Sequence, residues 1–375
     1  MVKRKTKGGL NIKNDLSQEE AIINFIQNSS ITIIPGTTKS GSGAIFICNL
    51  NSGYDSPYES LRYSSDGSSV DQIAIKLVAT GEYSGKWKGD YFTNEKNIES
   101  EDAFFNEQSI QKTIFNKTKS QFDPVCPAII YYSVIKSQSS AVSFLDTLLS
   151  RIGSDENAAN MLTDFKNGIE TEKIPWLGVL GMEMASGYRT LKQIHADASI
   201  DKNAMKIYEN MARLRILEMA EKTGYSQNDF HRENVLINTD MKGYFKGLSG
   251  HVLIIDFGFA SLIPDKPFGE IMDNINKNNL VGALSVFEGL RRPDGAPLNY
   301  YSLYGWLYFR YNHTIKNGSV SMIQASKKNY DNNSALIALK NDRDDATRER
   351  LLLMKSKTPS LNSKTRKIKI RSSKN

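Results

Sequence analysis

The stretch "GYSQNDFHRENVLINTD", residues 224–240, indicates the fold of this chain. It places an acid, a histidine and an amide, Asp229, His231 and Asn234, on one short turn ahead of an apolar run that predicts a strand. Asx residues favour turns because their side chains bond the nearby backbone, so an ordinary surface loop is the first interpretation. The residues that follow make this interpretation insufficient.

A second apolar run, residues 252–255, leads directly into Asp256 within "GHVLIIDFGFASL". A buried strand that ends in an acid places a carboxylate at a sheet edge or cleft. Two such acids, Asp229 and Asp256, with the amide of Asn234, match the needs of ATP phosphoryl transfer. One carboxylate orients the attacking hydroxyl, and the other holds Mg²⁺ together with the asparagine.

Composition and length are those of a soluble globular protein. The chain has 375 residues, of which 39% are hydrophobic and 24% charged, enough for two lobes or domains with a core. Its two cysteines, Cys48 and Cys126, are far apart, so we expect a reducing compartment and no disulfide framework. We expect neither a secretory signal nor a membrane-spanning run, and hence no membrane partner.

Positive charge is concentrated at the two ends of the sequence. Four basic residues open the chain and eight more occupy residues 355–375, without an acid in either segment. Without these twelve, 36 basic residues remain against 41 acids, so the body carries a net charge of about −5. We expect the basic tail to be disordered and to bind nucleic acid or another acidic partner. Its tract "KTRKIKIR" is also typical of nuclear-localisation signals.

Turn and capping signals predict the first elements. Ser17 and Glu20 form a capping-box pattern for a short helix, which we expect to pack outside the first sheet. The segment "ITIIPGTTKSGSGAIFICNL" predicts a hairpin around a glycine- and serine-rich turn, and such a loop can cover phosphates. Residues 50–70 are polar and rich in turn residues, which predicts an exposed loop.

Lys76 lies near the centre of the predicted strand "DQIAIKLVAT". It could face outward on a half-exposed strand, which is common. Alternatively, it is a buried cation that pairs with a glutamate and binds phosphate oxygens. Helical spacing puts Ala103, Ile110 and Ile114 on one stripe that also contains Glu107. A carboxylate that faces the core needs a partner, so we predict a Lys76–Glu107 ion pair.

Element order predicts an α+β fold of two unequal lobes around a cleft. Strand signals dominate first, and helices dominate after Asp256. A polar helical insertion is expected at about 137–174, and a long amphipathic helix at about 202–222. The predicted apolar side of the long helix consists of Met205, Tyr208, Met211, Ala212 and Ile216.

In chain order over most of residues 31–310, these motifs resemble the protein kinase superfamily. "AIK" in "QIAIKLV" is similar to the V-A-I-K strand, "GMEMASGYRTL" to the hinge between the lobes, and "DFHREN" followed by "DFG" to the catalytic and metal-binding loops. The resemblance implies a β-rich N-lobe at 31–184 and a mainly helical C-lobe at 185–354. Residues 1–30 would then be an extension with the short helix, and 355–375 the basic tail.

The resemblance also implies ATP and Mg²⁺ as cofactors and a role for each site residue. Asp229, His231 and Lys76 would be catalytic, and Asn234 and Asp256 would bind the metal. Met182 would form the back wall of the nucleotide pocket. The residues implied to contact ATP are Ser40, Gly41, Gly43, Ile45, Ala74, Lys76, Glu107, Met182, Glu183 and Ala185.

Departures from the family pattern bear on substrate and regulation. Gln227 and Asn228 stand where the family has His and Arg, so activity should not require loop phosphorylation. His231 stands where Ser/Thr kinases carry Lys, and D-x-H-x-x-N resembles the loop of aminoglycoside and choline kinases. No A-P-E motif follows; "GAPLNYY" at 295–301 is a faint echo.

Three functions therefore remain open: a divergent Ser/Thr protein kinase, a small-molecule kinase, and a non-catalytic module that uses the fold as a scaffold. The Asn-, Lys- and Ile-rich composition is similar to that of kinases of large DNA viruses. We expect a cytoplasmic location, in the host cell or virion if the source is viral, with the nucleus as the alternative.

Overall fold

The computed structural model describes residues 11–12, 16–34, 43–59, 70–92, 94–119, 123–262 and 328–357, with a few isolated positions between 269 and 286. Over these residues the chain is an α+β protein built on a mostly antiparallel sheet with several helices. Residues 35–42 of the predicted phosphate loop, residues 295–301 and residues 358–375 lie outside this part.

The strands are β1 (Asn11–Ile12), β2 (Ser29–Ile33), β3 (Ala44–Leu50), β4 (Tyr58–Glu59), β5 (Gln72–Gly81), β6 (Gly85–Trp87), β7 (Lys96–Ser100), β8 (Ile129–Ile135), β9 (Trp176–Glu183), β10 (Arg189–Thr190), β11 (Tyr225–Ser226), β12 (Val235–Asn238), β13 (His251–Ile254) and β14 (Ser261–Leu262). The helices are α1 (Gln18–Gln27), α2 (Glu101–Thr118), α3 (Gln138–Leu149), α4 (Glu156–Glu170), α5 (Leu191–Ala196), α6 (Lys202–Thr223) and α7 (Lys328–Lys357).

β5 is the central strand of a seven-stranded sheet. It pairs antiparallel with β3 along its first part, parallel with β7 near its end, and antiparallel with β9 on its other side. β2, β6 and β8 flank β3, β7 and β9. The predicted hairpin of β2 and β3 is confirmed. Nine of the ten β5 residues are buried, so this strand is covered on both faces.

The two faces of the sheet contact different helices. Ile75 and Leu77 of β5 belong to a hydrophobic cluster shared with α1, α3 and α4. Val78, on the opposite face, packs with Phe104 of α2. Because side chains alternate along a strand, Lys76 lies on the α2 face. The chemistry expected of Lys76 is therefore confined to that side of the sheet.

α1 and the predicted insertion cover the other face. Ser17 and Glu20 cap α1 reciprocally, as predicted. Residues 137–174 contain α3 and α4, so the helical character predicted for this segment is confirmed. Both helices bury apolar residues in the cluster that contains α1 and the sheet. The insertion is thus part of the core around the sheet.

A second hydrophobic cluster lies around the long helix predicted from the sequence, observed as α6. It joins Ile110 and Ile114 of α2 with residues of α5, α6, β12 and β13. β12 pairs with β10 and β13 in a small three-stranded sheet. On α6 the predicted apolar side is only partly buried: Met211, Ala212 and Ile216 are buried, and the two residues nearer its start are half-buried.

Three expectations need correction. Ala103 is exposed, because the buried stripe of α2 begins at Phe104 instead. Within the expected exposed loop at 50–70, the Tyr58 ring is buried against Phe25, since β4 pairs with β1 beside the core. The tail expected to be disordered from residue 355 begins inside α7, which continues to Lys357.

A buried charge network ties α6, β13 and α7 together. Asp123 accepts hydrogen bonds from Arg215, Arg343 and His251, and Glu218 bonds both arginines. The arginines hold the pKa of the Asp123 carboxyl well below its usual range, although burial alone would raise it. The network thus joins side chains from segments that are far apart in the sequence.

Cys48 and Cys126 are both buried, and neither is in a disulfide. Within the described ranges, no helix combines the length and apolar character needed to cross a bilayer.

Candidate functional site

Four of the residues implied to contact ATP lie on one face of the sheet. Cross-strand register pairs Lys76 with Ile45 and Ala74 with Met182. Residues paired in register point to the same face of a sheet. Positions 74 and 76 are two residues apart on one strand, so their side chains also share a face. Ile45, Ala74, Lys76 and Met182 therefore form a surface on the α2 side of the sheet.

Lys76 is buried, with 8% of its surface exposed, and its Nζ lies 3.6 Å from Oε1 of Glu107. The predicted ion pair is present. Burial alone would lower the pKa of Lys76, but the charges of Glu107, Asp256 and Glu99 outweigh that effect and raise it. The neighbouring carboxylates therefore favour the charged form of Lys76. The alternative of an outward-facing lysine on a half-exposed strand is wrong, because the strand is covered on both faces.

Glu107 also contacts the segment after β13. Its carboxylate accepts a hydrogen bond from the backbone N–H of Phe257. A Cβ placed on Gly258 would lie 3.7 Å from Oε2 of Glu107 and 3.6 Å from Oδ1 of Asp256. The two carboxylates therefore approach the same point beside Gly258. Burial raises the pKa of Glu107, and Lys76 opposes the rise.

Asp256 has a left-handed backbone, with φ of +62°. This region is uncommon for residues other than glycine, and Asp and Asn tolerate it better than most. The antiparallel register of β12 and β13 brings its neighbour Ile255 to Asn234, where the Ile255 N–H donates to the Asn234 carbonyl at 3.0 Å. Asp256 thus lies beside Asn234 on one side and Glu107 on the other.

Asp229, His231 and Asn234 are in contact, as their shared turn predicted. Nδ2 of Asn234 donates to Oδ2 of Asp229 at 3.2 Å and to its carbonyl at 3.1 Å. Nε2 of His231 lies 3.5 Å from Oδ2 of Asp229. His231 is also tied into the turn through Nδ1, which accepts from the Glu233 N–H. The Asp229 carboxylate is therefore oriented by an amide and an imidazole.

The expected hinge contacts are partly used within the protein. The Glu183 N–H donates to the Ala128 carbonyl at 2.9 Å, and the Ala185 carbonyl accepts from Tyr188. Within the described ranges no acceptor bonds the Ala185 N–H. Of the two N–H groups, that of Glu183 is used within the protein.

Gly43 has a structural reason to be glycine. Its φ is +121°, and a Cβ there would lie 2.0 Å from the Leu77 carbonyl oxygen of β5. No other residue fits this close approach. Of the remaining phosphate-loop positions, Ser40 and Gly41 lie outside the described residues.

Three participants were missed by sequence reasoning. Glu99 comes near Lys76 only because β7 pairs parallel with β5, with Glu99 in register with Thr80. Burial, together with the charges of Glu107 and Asp256, raises the Glu99 pKa to about 7, although Lys76 opposes the rise. Gln227 and Asn228 had been considered only as replacements for His and Arg. Their hydrogen bonds to residues 255–261 have no local sequence signal.

The donor set suits a hard cation that is shared with phosphates. Mg²⁺ in nucleotide sites commonly takes one or two protein oxygens and completes its shell with water and phosphate. Asn234 bonds Asp229 through Nδ2, and its carbonyl accepts from the N–H of Ile255, the neighbour of Asp256, so these three residues could supply oxygens to one cation. In the described part of the chain no group of three or more His, Cys, Asp or Glu residues forms a metal cage.

No protein-family model matches this chain, and a comparison with curated proteins gave no match.

Proposed function

We propose that this protein is an ATP- and Mg²⁺-dependent phosphotransferase with a two-lobed protein kinase-like fold, acting as a divergent Ser/Thr protein kinase. The observation that carries the proposal is the buried Lys76–Glu107 pair beside Asp256. One ammonium faces the carboxylates of Glu99, Glu107 and Asp256, so the cluster has excess negative charge. A divalent cation would neutralise that excess, and the lysine would bind phosphate oxygens.

Each site residue would have a separate role in phosphate transfer. The oxygens of Asp256 and Asn234 would hold Mg²⁺, which when bound neutralises charge on the phosphates. Lys76, kept cationic by its neighbours, would bind the phosphates. Asp229 would accept a hydrogen bond from the acceptor hydroxyl and orient it for in-line attack. His231, in contact with Asp229, lies where it could touch the acceptor or the transferred phosphoryl group.

A small-molecule acceptor is the second candidate. The observation that favours it is His231 beside Asp229 at an exposed position, in the D-x-H-x-x-N spacing shared with aminoglycoside and choline kinases. The "AIK" and "DFG" segments favour the protein kinase assignment instead.

Labelled ATP distinguishes these functions. Purified protein is incubated with γ-labelled ATP and Mg²⁺ and offered basic proteins, itself, and a panel of aminoglycosides and choline-like alcohols. Label in polypeptide supports the first proposal, and label only in small molecules supports the second. ATP binding without transfer supports a non-catalytic module. Absence of both binding and transfer contradicts all three, and chelation of Mg²⁺ is the control for metal dependence.

A further inference from the structure

Two carboxamide side chains immediately before Asp229 are buried, and each forms hydrogen bonds through both its amide oxygen and its amide nitrogen. Gln227 is 1% exposed and Asn228 is 4% exposed. Buried amides need partners in any protein, so their bonding alone says little. What is informative here is which groups they bond.

Gln227 bonds the backbones of both candidate acids. Its Oε1 accepts from the Asp229 N–H at 2.8 Å, and its Nε2 donates to the Asp256 carbonyl at 2.8 Å and to the Ile255 carbonyl at 3.4 Å. A primary amide offers a donor and an acceptor on one planar group. A carboxylate could not donate, and a lysine could not accept. One neutral side chain thus spans the two acids.

Asn228 bonds the chain that follows Asp256. Its Nδ2 donates to the Phe259 carbonyl and to Oγ of Ser261, each at 2.9 Å, and its Oδ1 accepts from Ser226. Asn228 has φ of +62°, a conformation that asparagine tolerates well. The pairing of β11 with β14, which sets Ser226 opposite Ser261, adds backbone bonds to the same junction.

We propose that Gln227 and Asn228 form an amide clamp, which sets the separation of Asp229 and Asp256 and keeps the site assembled without a phosphorylated residue. The catalytic part rests on the proposed function. Asp256 has a left-handed backbone, which costs free energy and persists only where the surrounding structure imposes it. The clamp does so through the Asp256 carbonyl, while Glu107 holds the next N–H, that of Phe257. Both residues are positioning residues.

Gln227→Glu tests the first half of the clamp. The change keeps the shape and removes the donor to the two carbonyls. The control is Gln138→Glu on α3, because Gln138 Nε2 also donates to two carbonyls, at 3.0 and 3.2 Å, on the other face of the sheet. Hydrogen–deuterium exchange of residues 255–262 and steady-state kinetics are measured on both variants and wild type.

For Gln227→Glu we expect exchange of residues 255–262 to rise about ten-fold and kcat to fall about ten-fold or more, which corresponds to the loss of one or two buried hydrogen bonds. KM for ATP should change less than kcat, because Gln227 bonds only the backbone carbonyl of the proposed Mg²⁺ ligand Asp256 and not its carboxylate. Gln138→Glu should leave all three unchanged. Unchanged exchange in a folded Gln227→Glu protein would overturn the clamp.

Asn228→Gly tests the second half, because glycine accepts the positive φ and removes only the side-chain bonds. Exchange should rise at residues 259–262. Wild-type protein treated with phosphatase should show no lag in phosphate transfer, whereas a lag that shortens with autophosphorylation would contradict assembly without phosphate. If wild type neither binds nor uses ATP, the proposed function fails, and exchange still decides whether the clamp exists.

Discussion

Lys76 meets two opposing demands at the centre of a strand covered on both faces. Burying an ammonium is costly, and three nearby carboxylates offset the cost. Apolar residues of similar size often replace buried ion pairs without loss of stability. Stability therefore gives little reason for a lysine here, which agrees with the phosphate-binding role proposed for Lys76.

Asp256→Asn should abolish phosphate transfer and leave the fold intact. The substitution is nearly isosteric, and Asn accepts the positive φ as Asp does. It removes the charge that a magnesium ligand supplies, so we expect kcat to fall at least about 100-fold. Initial rates at saturating ATP and Mg²⁺ measure this.

Asp201→Asn is the matched control. Asp201 accepts from the N–H groups of residues 203 and 204 at the start of α6, a capping role that Asn fills equally well. Its turnover should equal that of wild type. Full turnover in Asp256→Asn would remove Asp256 from the mechanism.

His251 predicts a pH dependence of stability. Burial, together with Arg215 and Arg343, lowers its pKa from 6.5 to about 4, and Asp123 only partly opposes this. Its neutral ring donates from Nε2 to Asp123 and accepts at Nδ1 from Tyr188. As pH falls between these pKa values, the unfolded chain binds a proton that the folded chain does not. Stability should therefore fall by about 3 kcal/mol toward the lower value.

Denaturant unfolding across that pH range, in wild type and in His251→Gln, isolates the effect. Glu99, with a folded pKa of about 7, acts with the opposite sign, since its folded form binds the extra proton. Because Glu99 is present in both proteins, its contribution cancels in the difference between their free energies of unfolding. If the free energy of unfolding changes equally with pH in the two proteins, the neutral buried state of His251 is contradicted.

At the scale of elements, α2 takes part in two hydrophobic clusters, a small one with Val78 on the sheet and the larger one around α6. Phe104 at its start packs on the sheet, and Ile110 and Ile114 further along pack near α6. Glu107 lies between them on the buried side. Packing at both ends of α2 therefore sets the position of Glu107, the partner of Lys76.

α7 is anchored by Arg343, and its loss should be costly. Arg343 bonds Asp123 and Glu218 in the buried network. Arg343→Ala leaves those carboxylates with fewer partners, so we expect a loss of about 3 kcal/mol in the free energy of unfolding. Arg348→Ala on the same helix breaks only an exposed pair with Asp345 and should cost less than about 0.5 kcal/mol. Similar values for the two variants would show that α7 is not anchored through Arg343.

At the scale of the whole molecule, charge separates a mildly acidic body from basic ends. Six of the eight cations in residues 355–375 follow α7, and no acid accompanies them. Deleting residues 358–375 should weaken retention on heparin or DNA at low salt and leave the rate on a soluble substrate nearly unchanged. A scrambled tail of the same composition should restore retention if charge alone is responsible.

Undiminished polyanion binding by the truncated protein would contradict the tail hypothesis. The body would then need a basic face, which its net charge of about −5 gives no reason to expect.

Local rules predicted the elements well. The Ser17–Glu20 capping box joins residues three apart, and the β2–β3 hairpin joins neighbouring strands. The turn of Asp229, His231 and Asn234 also brings its members together over a few residues. These contacts close short loops, so their entropy cost is small and the residues themselves suffice to specify them. Ala103 shows the limit, because one helical position decides between core and solvent.

Contacts between distant segments were decided only by tertiary structure. Glu99 approaches Lys76 through the parallel β5–β7 register, Gln227 reaches Asp256 across 29 residues, and Asp123 meets Arg343 across 220. Each contact depends on strand pairing or helix packing that no local pattern encodes. The sequence alone therefore determined which residues could do chemistry, and packing determined which of them meet, because burial and register are set by the whole chain at once.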